Sequence, residues 1–70
     1  MKTHYDTLGV TRKSTPQDIK SAYRKIVLQH HPDRSKDPQS KVIFLAATEA
    51  YEILSDEHKR SAYNFSLDLL

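Results

Sequence analysis

The chain has no cysteine and no tryptophan, and only one glycine and three prolines in 70 residues. Without cysteine there is no disulfide framework and no thiolate zinc site, which fits a reducing compartment. One glycine and three prolines are too few for the many tight turns of a β-sandwich. No stretch approaches the roughly 20 apolar residues that span a bilayer. The first residues, Met1-Lys2-Thr3-His4-Tyr5-Asp6, lack the apolar run of a secretory signal. The expectation is a soluble cytoplasmic domain with no membrane contact. A chain of this length forms one small domain, buries only about 60% of its unfolded surface, and keeps a stability of a few kcal/mol. It has no room for a deep catalytic cleft between separate domains.

The net charge of +2 hides an asymmetry. Residues 1–35 carry seven Lys/Arg against three Asp/Glu, whereas residues 36–70 carry four against six. A basic half points to an acidic partner surface.

Helix signals recur along the chain. Residues 5–8, closed by Gly9, read as one short helical turn with a glycine cap. Thr11-Arg12-Lys13-Ser14 is a polar loop. Thr15-Pro16-Gln17-Asp18 supplies an N-cap, a proline at the first helical position and an acid in the first turn. A helix is expected over about 16–30, with Ile19, Ala22, Tyr23, Ile26 and His30 on one face. Asp37-Pro38 repeats the start signal, and a second long helix is expected over about 38–54. Its inner face would be Ile43, Phe44, Ala47, Ala50, Tyr51 and Leu54. Ser55-Asp56-Glu57 begins a short last helix through about Phe65, with Ala62 and Tyr63 inward and residues 66–70 fraying. A loop of about seven residues between the long helices implies an antiparallel hairpin.

Between them lies His31-Pro32-Asp33. Proline turns the preceding residue away from α geometry and fixes its own φ, so Asp33 is presented on a stiffened corner beside a cationic helix face. On its own, the tripeptide is also an ordinary helix stop followed by a turn.

These residues resemble the J-domain of the DnaJ co-chaperones over nearly the whole chain. The resemblance rests on Tyr5-Asp6-Thr7-Leu8-Gly9-Val10, Ile19-Lys20-Ser21-Ala22-Tyr23-Arg24-Lys25, His30-His31-Pro32-Asp33-Arg34, Glu49-Ala50-Tyr51-Glu52-Ile53-Leu54-Ser55-Asp56 and Lys59-Arg60-Ser61-Ala62-Tyr63. One tripeptide is weak evidence, but five blocks in order and at the right spacing are strong evidence. The resemblance implies an all-α, four-helix J-domain over residues 1–70, standing alone or as a piece of a longer protein. It implies a non-enzymatic co-chaperone that docks on an ATP-bound DnaK-type chaperone and accelerates its ATP hydrolysis. It puts the essential signal on His31, Pro32 and Asp33, and a charged docking face on Lys20, Arg24, Lys25 and Arg34.

Three apolar side chains join the candidate partner surface. Tyr23 and Phe44 lie at the edges of their stripes, where core packing is the plain alternative. Leu28 falls among polar positions and reads as an apolar anchor inside a charged rim. Leu45 stands where the family more often has a polar residue, commonly lysine. With Val42 and Ile53 it makes the outer side of the second long helix apolar, which suggests contact with another domain or a partner. After Tyr63, Asn64-Phe65-Ser66-Leu67 departs from the Asp-and-Gly ending often seen in the family.

Other chemistries are weaker. Adjacent His30 and His31 with Asp33 lack the facing geometry of a metal site, so no metal and no cofactor are expected. No serine has a triad-like His/Asp arrangement, and Asp56 and Glu57 look like first-turn helix charges. A basic helix on a small bundle could instead bind nucleic acid. An acid beside that face should repel phosphate, so nucleic acid is not expected. A J-like interaction scaffold without ATPase stimulation is a third reading, which the intact His-Pro-Asp opposes. The domain is expected to be a monomer.

Overall fold

The computed structural model describes residues 2–70, which form four helices. Helix α1 spans His4–Leu8, α2 Pro16–His30, α3 Pro38–Leu54 and α4 Glu57–Asp68. No strand occurs among the described residues. The expected all-α class and central hairpin are therefore found.

Each start is chemically marked. Thr3 and Thr15 form capping boxes with Asp6 and Asp18, each threonine accepting from the acid's amide while the carboxylate accepts from the threonine's amide. Asp37 and Asp56 cap α3 and α4 by accepting from the amides of Gln39 and Lys59. Gly9 closes α1 at φ 73°, in the left-handed region where glycine carries no steric penalty.

Helices α2 and α3 are antiparallel. His30 meets Ser40 at one end, and Tyr23 meets Thr48 seven residues earlier on α2 and eight later on α3. The Tyr23 ring also lies flat on Tyr51, with centroids 4.3 Å apart. The core is small: Tyr5, Leu8, Ile19, Ala47, Ala50 and Leu54 are buried. Two alanines on α3 let α1 approach closely, so a five-residue helix can seal the hairpin.

Several sequence expectations are corrected. Helix α1 begins at His4 rather than Tyr5, because the Thr3–Asp6 capping box recruits one more residue. Helix α4 runs to Asp68 instead of fraying after Phe65. Leu67 packs against the core and Asp68 is held by Arg12 at 2.8 Å, so both ends of that turn are anchored. Ile43 and Ala62, expected inside, are exposed. Periodicity places Ile43 on the inward side, but no element covers α3 at that level. Ile53, expected on the outer side, packs against the core instead. Val42 and Leu45 remain 67% and 56% exposed, so the outer apolar face is smaller than the sequence suggests.

The end of the molecule formed by α1 and α4 is closed by polar contacts. The Arg60 guanidinium donates to the Tyr5 hydroxyl at 3.2 Å and to the carbonyls of Arg12 and Ser14 at 3.1 and 2.7 Å. Its carbon lies 5.5 Å from the Tyr5 ring centre. The Tyr5 hydroxyl in turn donates to Asn64, and the Tyr63 hydroxyl accepts from the His4 amide. Arg60 thus ties α4 to the loop before α2 and to α1.

Candidate functional site

The site is built around the corner between α2 and α3. His31 is the C-cap of α2, with φ −60° and ψ 137°, the extended geometry that a following proline favours. Five interactions hold it. Its amide donates to the Val27 carbonyl at 2.9 Å, completing the last helical turn. Its carbonyl accepts from the amides of Arg34 and Ser35 at 2.9 and 3.0 Å, which folds residues 31–35 into one tight turn. Its Nδ1 accepts from the Asp33 amide at 3.1 Å. Its ring meets Phe44 edge-on, with centroids 5.3 Å apart. The imidazole is therefore a pivot for the turn, anchored on α3.

The Asp33 carboxylate is at the far side of that turn, with 91% of its side chain exposed. One of its oxygens lies 3.6 Å from His31 Nδ1. That nitrogen already accepts the Asp33 amide hydrogen, so in this arrangement it carries no proton and the approach is not an ion pair. None of the basic residues Lys20, Arg24, Lys25 and Arg34 has an acidic side chain within 4.0 Å, and all four are exposed. The acid is held by its backbone, and the four cations along α2 and after the corner are unpaired.

Leu28 is 62% exposed, as its wheel position suggests. With Tyr23, Arg24 and Val27 it lines a shallow, mostly apolar groove of about 450 Å³ on α2. Tyr23 and Phe44 serve the fold as well as the surface. Tyr23 stacks on Tyr51 and shares a hydrogen bond with Thr48, while Phe44 supports His31. The structure joins Tyr23, Arg24 and Leu28 in that groove and Phe44 to His31, whereas Lys25 lines a separate groove beside Leu8, Gly9 and Asp18. Val42 and Leu45 are exposed and do not line the Leu28 groove.

Sequence reasoning missed the polar support beneath the corner. Ser40 is the buried polar residue of the described chain, at 6% exposure. Its hydroxyl lies 2.8 Å from His30 Nδ1 and accepts from Ser35 at 3.0 Å. The Asp37 amide donates to the Ser35 hydroxyl at 3.3 Å. Isolated serines with no motif gave no signal for this chain of contacts. No group of three potential metal ligands occurs among the described residues, and no described helix is long and apolar enough to cross a membrane.

The acidic groups whose ionisation shifts are not at the corner. Asp6 is lowered by hydrogen bonds from the Thr3 amide and hydroxyl, and Asp56 by the Lys59 amide. Asp68 is lowered by its hydrogen bond from Arg12, and Arg12 is raised by the same contact. All of these serve caps or the closure of α4.

Comparison with known proteins agrees with the geometry. The DnaJ domain family matches residues 3–64. A chaperone protein DnaJ from Polaromonas sp. (strain JS666 / ATCC BAA-500) is 54% identical over 66 residues, covering 90% of this chain and 17% of that protein. A chaperone protein DnaJ from Methanosarcina thermophila is 46% identical over 63 residues, covering 90% of this chain and 16% of that protein. The DnaJ protein homolog XDJ1 of Saccharomyces cerevisiae is 55% identical over 64 residues, covering 86% of this chain and 14% of that protein. The chain spans about one-sixth of the length of these relatives. With the four helices, the antiparallel hairpin and the His-Pro-Asp corner, the chain belongs to the DnaJ domain family, the J-domain co-chaperones.

Proposed function

We propose that this domain docks on an ATP-bound DnaK-type chaperone and stimulates its ATP hydrolysis. The observation that carries this reading is the Asp33 carboxylate, which is exposed on a turn whose backbone is hydrogen-bonded at His31, Asp33, Arg34 and Ser35. Lys20, Arg24, Lys25 and Arg34 supply steering toward an acidic surface, and Leu28 with Tyr23 supplies an apolar anchor. Phe44 acts through His31. Asp33 makes the directional contact, a charge-assisted hydrogen bond to an arginine of the partner. Pro32 limits the turn so that little entropy is lost when that contact forms.

The domain supplies no reacting group. It works by binding the hydrolysis-competent state of the chaperone more tightly than the other state, since only unequal affinity shifts an equilibrium. A regulator of this type acts in the cytoplasm as a monomer, with the DnaK-type chaperone as its partner. A nucleic-acid partner is disfavoured, because Asp33 would face phosphates across the same surface.

The test is single-turnover ATP hydrolysis by a DnaK-type chaperone with the domain added. Wild-type domain should accelerate the turnover. Asp33→Asn should reduce the effect roughly ten- to a hundredfold, the range of a lost hydrogen bond to a charged group. A folded wild-type domain that leaves the rate unchanged over a panel of such chaperones contradicts the reading.

A further inference from the structure

The contacts beneath the corner form one directional chain. The Asp37 amide donates to the Ser35 hydroxyl, and Ser35 donates to Ser40. Ser40 Oγ lies 2.8 Å from His30 Nδ1, and the assignment in which Ser40 donates, with the imidazole proton on Nε2, is the one that uses the Ser40 proton within the chain. Every member has one role, and no buried side-chain donor or acceptor among the described residues is left unpaired. The chain begins at the N-cap of α3 and ends at the last residue of α2. It therefore spans the turn that carries His31, Pro32 and Asp33, joining its two ends through hydroxyl and imidazole groups that make no hydrogen bond to the side chains of those three.

We propose that Ser35, Ser40 and His30 are positioning residues that clasp the corner in its docking geometry. The inference rests on the docking reading above. Burial matters here. A hydrogen bond at a site screened from water is not readily replaced by solvent, and linked bonds polarise one another. Ser40 is buried on the first turn of α3, a fixed point. Ser35 belongs to the turn itself, since its amide also donates to the His31 carbonyl at 3.0 Å. Loss of either hydroxyl uncouples the turn from α3 and leaves His31 and its Phe44 contact as the remaining tether on that side. The Asp33 carboxylate would then sample orientations that do not reach its partner. The steering face of α2 would be unaffected.

That separation gives the clasp a distinct signature. Ser35→Ala and Ser40→Ala should each lower the maximal stimulation of the chaperone roughly three- to tenfold, because small misplacements of a reacting or triggering group are costly. The half-saturating concentration should stay within about twofold, because the basic face still steers docking. Ser35→Thr retains the hydroxyl and should restore stimulation to near the wild-type level. In the wild type, ¹⁵N NMR should show His30 with a bare Nδ1 and a protonated Nε2. In Ser35→Ala, the amides of Arg34, Ser35 and Asp37 should exchange several-fold faster while those of α2 and α3 are unchanged.

The outcomes separate the two proposals. A wild-type domain that stimulates, with alanine variants that stimulate equally well, overturns the clasp and leaves docking intact. A fall in stimulation that Ser35→Thr fails to rescue also overturns it. A wild-type domain that does not stimulate overturns the docking reading. The exchange experiment then decides whether the serines hold the turn, and unchanged amides would end that idea too.

Discussion

The two ends of this molecule handle charge in opposite ways. Where α1 meets α4, charges are used up inside the fold. Arg60 donates to three oxygens and Arg12 pairs with Asp68. At the corner between α2 and α3, the backbone and the neutral side chains are tied down while the ionic groups are left free. Asp33 and Arg34 at the corner, and Lys20, Arg24 and Lys25 along α2, have no oppositely charged side-chain partner, the Asp33–His31 approach not being an ion pair. On the proposed docking reading, the corner is where this domain keeps charge for a partner. The paired charges stabilise a modest core, and the unpaired ones remain available to another protein.

The largest expected effect that separates the ends is on activity alone. Asp33→Asn should remove most of the chaperone stimulation and leave thermal stability unchanged, since the carboxylate supports nothing in the fold. Arg60→Ala should do the reverse. It deletes three hydrogen bonds from a charged donor and should lower stability by about 2 kcal/mol, or roughly 10 °C in Tm. At a temperature where that variant is still folded, stimulation should stay near the wild-type value. A melting curve beside the turnover assay checks both. If Arg60→Ala abolished stimulation while folded, the division between the ends would fail.

A smaller effect tests the steering face. Arg24→Ala should raise the half-saturating concentration several-fold, with each rim charge worth up to about 1 kcal/mol, and added salt should shrink the difference. Titrations at two ionic strengths would show it. An apolar docking surface would give a salt-independent defect instead.

How much of this was visible in the sequence depends on how local the cause is. The limits of α2 and α3 follow from Thr15-Pro16 and Asp37-Pro38, which act within one turn of themselves. The buried positions Ile19, Ala47, Ala50 and Leu54 follow from helical periodicity. The corner and the basic face were readable as residues, because the motif is contiguous and the cations repeat along one helix. The rest depended on distant partners. The extra turn of α4 exists because Asp68 finds Arg12, 56 residues away. Ile43 is exposed and Ile53 covered because α1 and α4 cap only part of α3, and an angle on a wheel carries no information about height. Ser35 and Ser40 become a unit only once His30 is brought over them.

The smallest expected effect concerns acid. Asp6, Asp56 and Asp68 titrate below their ordinary value of 3.8 in the folded chain. Such groups contribute stability that is fully present above the unfolded value and lost as pH falls through the lowered folded values. Stability should therefore be level through neutral pH and decline below about pH 4. Asparagine at all three positions should flatten that decline in an acid titration followed by circular dichroism. A decline as steep as that of the wild type would place its origin elsewhere.

The most direct test of the central claim is to measure one preparation of Asp33→Asn twice, by thermal melting and by single-turnover ATP hydrolysis with a DnaK-type chaperone. The account predicts a Tm within about 2 °C of the wild type, an exposed-site substitution being nearly neutral, and stimulation reduced to near the unstimulated rate. Wild-type stimulation by the variant, or a loss that merely follows a lowered Tm, would contradict it.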